Sequence, residues 1–252
     1  DHRDLHLSIR RQRQMCIRDR IIERMPATLE LAVTAAIIAA LLGVPAGVYT
    51  GLRRFGFTSK MIMTLSLIGI SLPTFLIGIL LIYLFAVILG WLPSFGRGEV
   101  VKLGGWESNF LSVNGLKSII LPAITLGWFQ AAALMRLVRS SMLEVLDSEY
   151  VKLARIKGIP EWKVTWKHCL RNAAIVPLTY FGVIGAAILT GSIVTETVFD
   201  WPGLGFLALE AVRGQDYAVV QTVILLFATV YIVSALLVDI LYAYLDPRIR
   251  YQ

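Results

Sequence analysis

DSEYVKLARIKGIPEWKVTWKHCLRNAAIVP, residues 147–177, is the one long charged segment in a chain that otherwise reads as membrane-grade. Eight lysines or arginines lie between Arg136 and Arg171, against four acids: Glu144, Asp147, Glu149 and Glu161. Apolar runs flank it on both sides. A basic, helix-forming connection between two spans belongs in water on the cytoplasmic side. This one is long enough to be a docking surface rather than a turn.

The composition outside the segment sets its context. The chain has 252 residues, 57% of them hydrophobic and only 16% charged, with a mean hydropathy of +0.71. A span needs about 20 mostly apolar residues to cross the hydrocarbon layer. Five blocks qualify, at about 27–49, 61–90, 119–142, 173–195 and 217–244. The expected fold is an all-α membrane protein. The net charge of +7 fits cytoplasmic loops held against anionic lipid rather than a nucleic-acid surface. Cys16 and Cys169 make neither a disulfide framework nor a metal spacing, and His2, His6 and His168 add none. No zinc-protease, nucleophile-elbow or P-loop pattern occurs. The expectation is a chain with no catalytic residue, no metal and no cofactor of its own.

Charge also orients the spans. Thirteen lysines and arginines fall in 50–60, 136–171 and the tail; four fall in 90–118 and 200–216. The first set is expected inside, with Gln252 cytoplasmic. Five spans then start the chain outside, although residues 1–26 hold seven arginines. RRQRQMCIRDR, residues 10–20, resembles translated read-through of a sequencing adapter. Residues 1–20 are therefore expected to be a non-native, disordered segment on a truncated gene, with natural sequence resuming near Ile21.

Within the loop, Ser148 suits an N-cap, Glu149 a first helical turn, and Arg155 and Lys157 a last turn. Gly158 suits the residue after a helix, where a left-handed backbone costs nothing, and Pro160 the start of the next helix. The reading is two short helices, about 149–157 and 160–171, bent at Gly158-Ile159-Pro160. Trp162, Trp166 and Leu170 form one apolar stripe on the second. Such a helix either lies at the headgroup level or docks on another protein; periodicity alone leaves both open.

Ala154-Arg155-x-x-Gly158 followed by x(9)-His168-x-Leu170-x-Asn172 resembles the coupling loop, or EAA motif, of ABC-importer permeases. More narrowly it resembles the B-type subunit of the dipeptide/oligopeptide permeases. GSIVTETVFDWPGLGFLALEAVRGQDYAVVQ (191–221), LLVDILYAYLDPRIRY (236–251) and ERMPATLELA (23–32) resemble other segments of that family. Lys152, Cys169 and Arg171 depart from the general motif. The resemblance implies five remaining helices of a type I, MetI-like permease bundle in a bacterial or archaeal plasma membrane. It implies a second permease subunit, two cytosolic ATPases that carry ATP and Mg, and an extracytoplasmic solute-binding protein. The ATPase-coupling residues would be Glu149, Tyr150, Ala154, Arg155, Lys157 and Gly158, in a helix seated in a groove of the ATPase. Peptides are the implied cargo, with nickel or oligosaccharide as the alternatives within the family.

Among charges in the spans, Glu30 and Asp239 are expected to reach the interface in structural roles. Glu196 either meets a peptide's amino terminus or caps the adjacent loop. Phe199-Asp200-Trp201-Pro202-Gly203-Leu204-Gly205 reads either as a membrane anchor or, by the resemblance, as a periplasmic gate touching the binding protein. Glu196, Trp201, Pro202, Gly203 and Gly205 are the gate candidates. Gly43-Val44-Pro45 and Leu72-Pro73 are expected to break helices. Gly182-x-x-Gly185 and Ala186-Ala187 offer small packing faces. A membrane-embedded enzyme would need clustered Asp, His or Ser at membrane depth, and a passive channel a polar ring. Neither pattern is present in the sequence.

Overall fold

The computed structural model describes residues 2–104, 106–173, 177, 179, 180, 188 and 192–245, with the backbone alone for 2–15, 103 and 241–245. The chain is helical almost throughout. Helix α1 spans His2–Leu52, α2 Phe57–Ser71 and α3 Thr74–Ile88, whose second half, Ile82–Ile88, is π-helical. Strands β1 (Val101–Leu103) and β2 (Trp106–Ser108) form an antiparallel hairpin in which Lys102 faces Glu107. Helix α4 is Val113–Leu146 and α5 Glu149–Ile156. Helix α6 covers 161–173, with π-helical geometry over Val164–Leu170. Residues 192–198 form α7, Leu204–Arg213 α8 and Tyr217–Leu245 α9.

Cys16–Leu52, Val113–Leu146 and Tyr217–Ile240 are each long and apolar enough to cross a membrane. The stretch expected as one span over 61–90 is divided. A break at Pro73 separates α2 from α3. The residue before a proline is driven out of the helical region, and Leu72 is accordingly extended, at φ −83° and ψ 136°. Gly43-Val44-Pro45 does not break its helix, because α1 runs through it to Leu52. Most of the 173–195 span and the Gly182–Ala187 small face lie outside the described residues.

The described start of the chain is helical. Helix α1 begins at His2, and Ile17 packs with Ile21, Leu204, Leu207 and Val219. Arg20 Nη1 lies 3.6 Å from Asp216 Oδ2. Arg, Gln and Met are good helix formers, and extending an existing helix avoids a second nucleation cost.

The described contacts group into two compact units. The first holds residues 1–34, 74–125 and 189–230. Its core includes Ile82, Leu121 and Phe199 in one cluster and the Ile21–Leu207 group in another. The second holds 35–73, 126–188 and 231–252. Here Gly43, Gly47 and Gly51, one turn apart on α1, lie against α4. A Cβ on Gly47 would sit 2.6 Å from Val138 Cβ and 2.7 Å from Met135 O. Close helix packing occurs on this small face, Gly-x-x-x-Gly-x-x-x-Gly.

Candidate functional site

In the second unit, the loop helices are fixed onto the end of α4 by apolar packing. Val151 and Ala154 of α5 and Val164, Cys169 and Ala173 of α6 are buried with Leu134, Val138, Met142 and Leu146. Their spacing on α5, i and i+3, gives one buried edge. The opposite side is exposed: Glu149, Tyr150, Lys152, Leu153, Arg155 and Ile156. Leu153 is 53% and Ile156 81% accessible, so two large apolar residues stand in the open between charges.

The turn after α5 is a Schellman closure. Gly158 N–H donates to Arg155 O at 2.9 Å, and Ile159 N–H donates to Ala154 O at 3.2 Å. Gly158 has φ +73°, with nothing within 4 Å of where a Cβ would stand. Glycine is required there by the backbone, not by space. Arg155 Nε donates to Glu161 Oε1 at 2.9 Å across this turn, and Asn172 Nδ2 donates to Tyr150 Oη at 2.8 Å. Arg54 Nη2 pairs with Asp147 Oδ1 at 2.8 Å, tying the 53–56 connection to the start of the loop. Ser148 occupies the N-cap position, but its hydroxyl donates back to Val145 O and makes no cap.

Ala154, one of the implied coupling residues, is buried in this chain's own core. Trp162 and Trp166 of the apolar stripe are exposed, while Val164, Thr165 and Cys169 point inward. The π-helical turns over Val164–Leu170 shift the register that a 3.6-residue period assumes. Of the coupling residues read from the sequence, Glu149, Tyr150, Arg155, Lys157 and Gly158 remain on the exposed side.

In the first unit, Glu196 is fully buried. Its Oε1 accepts from Thr28 Oγ1 at 2.8 Å and Ser192 Oγ at 3.0 Å, and its Oε2 accepts from Phe206 N–H at 2.8 Å. Thr28 Oγ1 in turn accepts from Leu204 N–H at 2.7 Å. Gly203 is the N-cap of α8, so these contacts satisfy the open N–H groups of its first turn and set a negative charge at the positive end of its dipole. The carboxylate is a cap. A Cβ on Gly203 would collide with the Glu196 carboxyl group, which explains the glycine.

Trp201 is also fully buried, with Nε1 donating to Ala27 O at 3.0 Å, so it is not an interfacial anchor. Gly203 and Gly205 are buried as well, and of the gate candidates Pro202 alone is half-exposed. Within this chain Glu196, Trp201, Gly203 and Gly205 form an internal latch joining α1, α7 and α8. Asp200 holds φ +49°, a left-handed turn that Asp tolerates.

Glu30 sits in a structural network. It is buried with Arg97, whose Nη2 donates to Glu30 Oε2 at 3.0 Å and to Glu107 O at 2.6 Å. Asn109 N–H donates to the same carboxylate at 3.1 Å. The sequence carried no signal for a partner 67 residues away. Among the described residues, no group of three or more His, Cys, Asp or Glu is placed to hold a metal ion.

Several helices long and apolar enough to cross a membrane, with a basic loop packed on the end of one of them, are features of a multi-pass membrane protein, and the comparisons with known proteins place it. Residues 43–251 match the family of binding-protein-dependent transport system inner membrane components, and the chain belongs to that family. It is an ABC-importer permease of the inner membrane, a transport protein rather than an enzyme, and works with other ABC components. It is 43% identical to the di/tripeptide transport system permease protein DppB of Pseudomonas aeruginosa, over 90% of this chain and 71% of that protein. It is 37% identical to the dipeptide transport system permease protein DppB of Alkalihalophilus pseudofirmus, over 98% and 78%. Against the glutathione transport system permease protein GsiC of Escherichia coli O6:H1, identity is 40% over 99% and 76%. The fold is similar to that of a chain in the inward-facing MetNI methionine ABC transporter, with a TM-score of 0.69 at 17% identity, covering 87% of this chain and 93% of that one.

Proposed function

We propose that this chain forms half of the translocation pathway of an ATP-driven importer of di- or oligopeptides. Its partners are a second permease subunit, two cytosolic ATPases and an extracytoplasmic binding protein. The chain transmits the ATPase cycle through the 143–172 loop, which lies on the cytoplasmic side with Gln252. ATP and Mg belong to the ATPases.

The observation that carries this reading is the division of α5 into two sides. Val151 and Ala154 weld it to α4, while Leu153 and Ile156 stand exposed between the Lys152–Glu149 and Arg155–Glu161 pairs. A helix joined this firmly to a span moves as a rigid body with it, which is what alternating access by rocking bundles needs. The exposed basic and apolar side then takes a groove on the ATPase. Peptide cargo is supported by the relatives' names, at 37–43% identity.

The test is Ile156→Asp, with Leu153→Asp as its companion. Neither residue is in the core, so insertion and unfolding midpoint should hold. Co-purification of the ATPase and peptide-stimulated hydrolysis in proteoliposomes should drop at least about tenfold, as for loss of a buried interface anchor. Full coupling in both variants would refute the docking role. Uptake of nickel or oligosaccharide, with none of peptide, would move the cargo to the alternatives.

A further inference from the structure

A cavity of about 350 Å³ opens in the first unit, lined by Glu23, Arg24, Arg97, Val100, Glu107 and Pro202. Its size lies in the range of small-ligand sites. Its walls carry charge of both signs, and those charges divide into two groups.

The deeper group is balanced within itself. Arg97 is held by Glu30 and lies 3.8 Å from the Glu107 carboxylate, while Lys102 Nζ sits 3.1 Å from Glu107 Oε1. Two cations thus offset two carboxylates, and the network needs no further ion. It still has unused hydrogen-bonding capacity: Arg97 Nε and Asn109 Oδ1 are buried with no partner. Natural proteins leave few such groups, and each calls for an explanation.

The rim group is different. Glu23 and Arg24 sit next to each other on α1 and both line the cavity. Neither has an ion pair or side-chain hydrogen bond among the described residues, although Arg24 is half-buried. One free cation and one free carboxylate over a neutral, rigid floor match a ligand bearing one charge of each sign. Arg97, already fixed by Glu30 and Glu107, adds no ordering cost of its own, which leaves only the Glu23 and Arg24 side chains to be ordered by a ligand.

We propose that this cavity is a subsite for a zwitterion, taking the free ammonium at Glu23 and the free carboxylate at Arg24, as the two ends of a short peptide present them. The assignment rests on the peptide-importer reading above. Charge-assisted bonds of this kind are each worth about a tenfold change in affinity.

The experiment uses the permease with its co-expressed partner subunits in phosphatidylglycerol nanodiscs, without the binding protein. Radiolabelled alanyl-alanine is compared with its N-acetyl and C-amide derivatives. The wild type should prefer the unblocked dipeptide by about tenfold over each. Arg24→Gln should abolish discrimination against the amide while keeping it against the acetyl form, and Glu23→Gln should do the reverse. Equal binding of all three ligands by the wild type overturns the subsite, as does unchanged selectivity in both variants. Phosphatidylethanolamine retained through Glu23 and Arg24, with no peptide bound, overturns it in favour of a lipid site. ATP-driven uptake of alanyl-alanine, measured separately with the binding protein present, reads the importer function. Uptake with unselective binding sinks the subsite alone; selective binding without uptake sinks the importer reading alone.

Discussion

Tyr150 Oη accepts a 2.8 Å hydrogen bond from Asn172 Nδ2 and lies 3.4 Å from His168 O, so one phenol joins the first turn of α5 to the end of α6. With Arg155–Glu161 across the Gly158 turn, the two loop helices are clasped at both ends. A clasped loop passes on a displacement that a loose one would absorb.

Removing that hydroxyl should loosen the clasp without unfolding the bundle. Tyr150→Phe loses the bond from Asn172 and the longer one to His168 O at a 41% accessible residue, a cost of about 0.5–1 kcal/mol. Amide exchange over 161–173 should accelerate by severalfold while α4 is unaffected. Asn172→Ala should give part of that acceleration, and the double variant no more than Tyr150→Phe alone, since the phenol carries both bonds. Additive effects would mean that the two side chains act apart.

The Glu196 latch predicts a larger loss. Glu196→Ala strips the acceptor from Thr28, Ser192 and the Phe206 N–H together. An unsatisfied buried donor costs about 1–3 kcal/mol, and the Phe206 amide cannot rotate to find another. The unfolding midpoint of the purified chain should drop by an amount equivalent to about 3 kcal/mol. Glu196→Gln keeps one oxygen but turns an NH2 toward a donor, and should fall between. A midpoint for the alanine variant within about 0.5 kcal/mol of wild type would contradict the cap.

Cys169 supplies a chemical readout of loop closure. Burial is the main influence on its thiol and pushes the pKa up, with Arg155 opposing and Glu161 adding to the rise. A raised pKa means less thiolate at a given pH, and the thiolate is the reactive form. Maleimide at neutral pH should therefore label exposed Cys16 and leave Cys169 unmodified until the loop is opened by denaturant. Equal labelling rates in the native protein would show that α6 is not packed as described.

The parts legible in sequence were those governed by local rules. The Ser148-to-Pro160 pattern placed α5 to within a residue of its observed end, because Gly158 and Pro160 act on their own backbone. The Leu72-Pro73 break was legible for the same reason, while Gly43-Val44-Pro45 was not, since packing of α1 on α4 overrides a local preference. Which face of a helix turns inward depends on partners distant in the chain. Ala154 looked like a contact point until Val164 and Cys169 were found against the same core. Trp201 looked like an anchor until its indole was found bonded to Ala27. The Glu30–Arg97 pair joins a span to a hairpin strand region that carries no periodic signal at all.

Gly158 separates a backbone requirement from a contact requirement. Its φ of +73° costs an L-residue about 1–2 kcal/mol, yet the space around a Cβ is open. Gly158→Ala should therefore weaken the α5–α6 turn by about 1 kcal/mol and leave the chain folded. Gly158→Asn should recover most of that loss, because Asn tolerates the left-handed region. A bulky residue adds little further strain inside the chain, so any extra damage from Gly158→Trp reports on what docks outside it. The comparison is made on ATPase co-purification and peptide-stimulated hydrolysis for Ala, Asn and Trp at this position. If Trp behaves as Ala does, Gly158 serves the turn alone and the docking surface lies toward Leu153 and Ile156. If Trp uncouples while Ala and Asn do not, the turn itself lies against the partner.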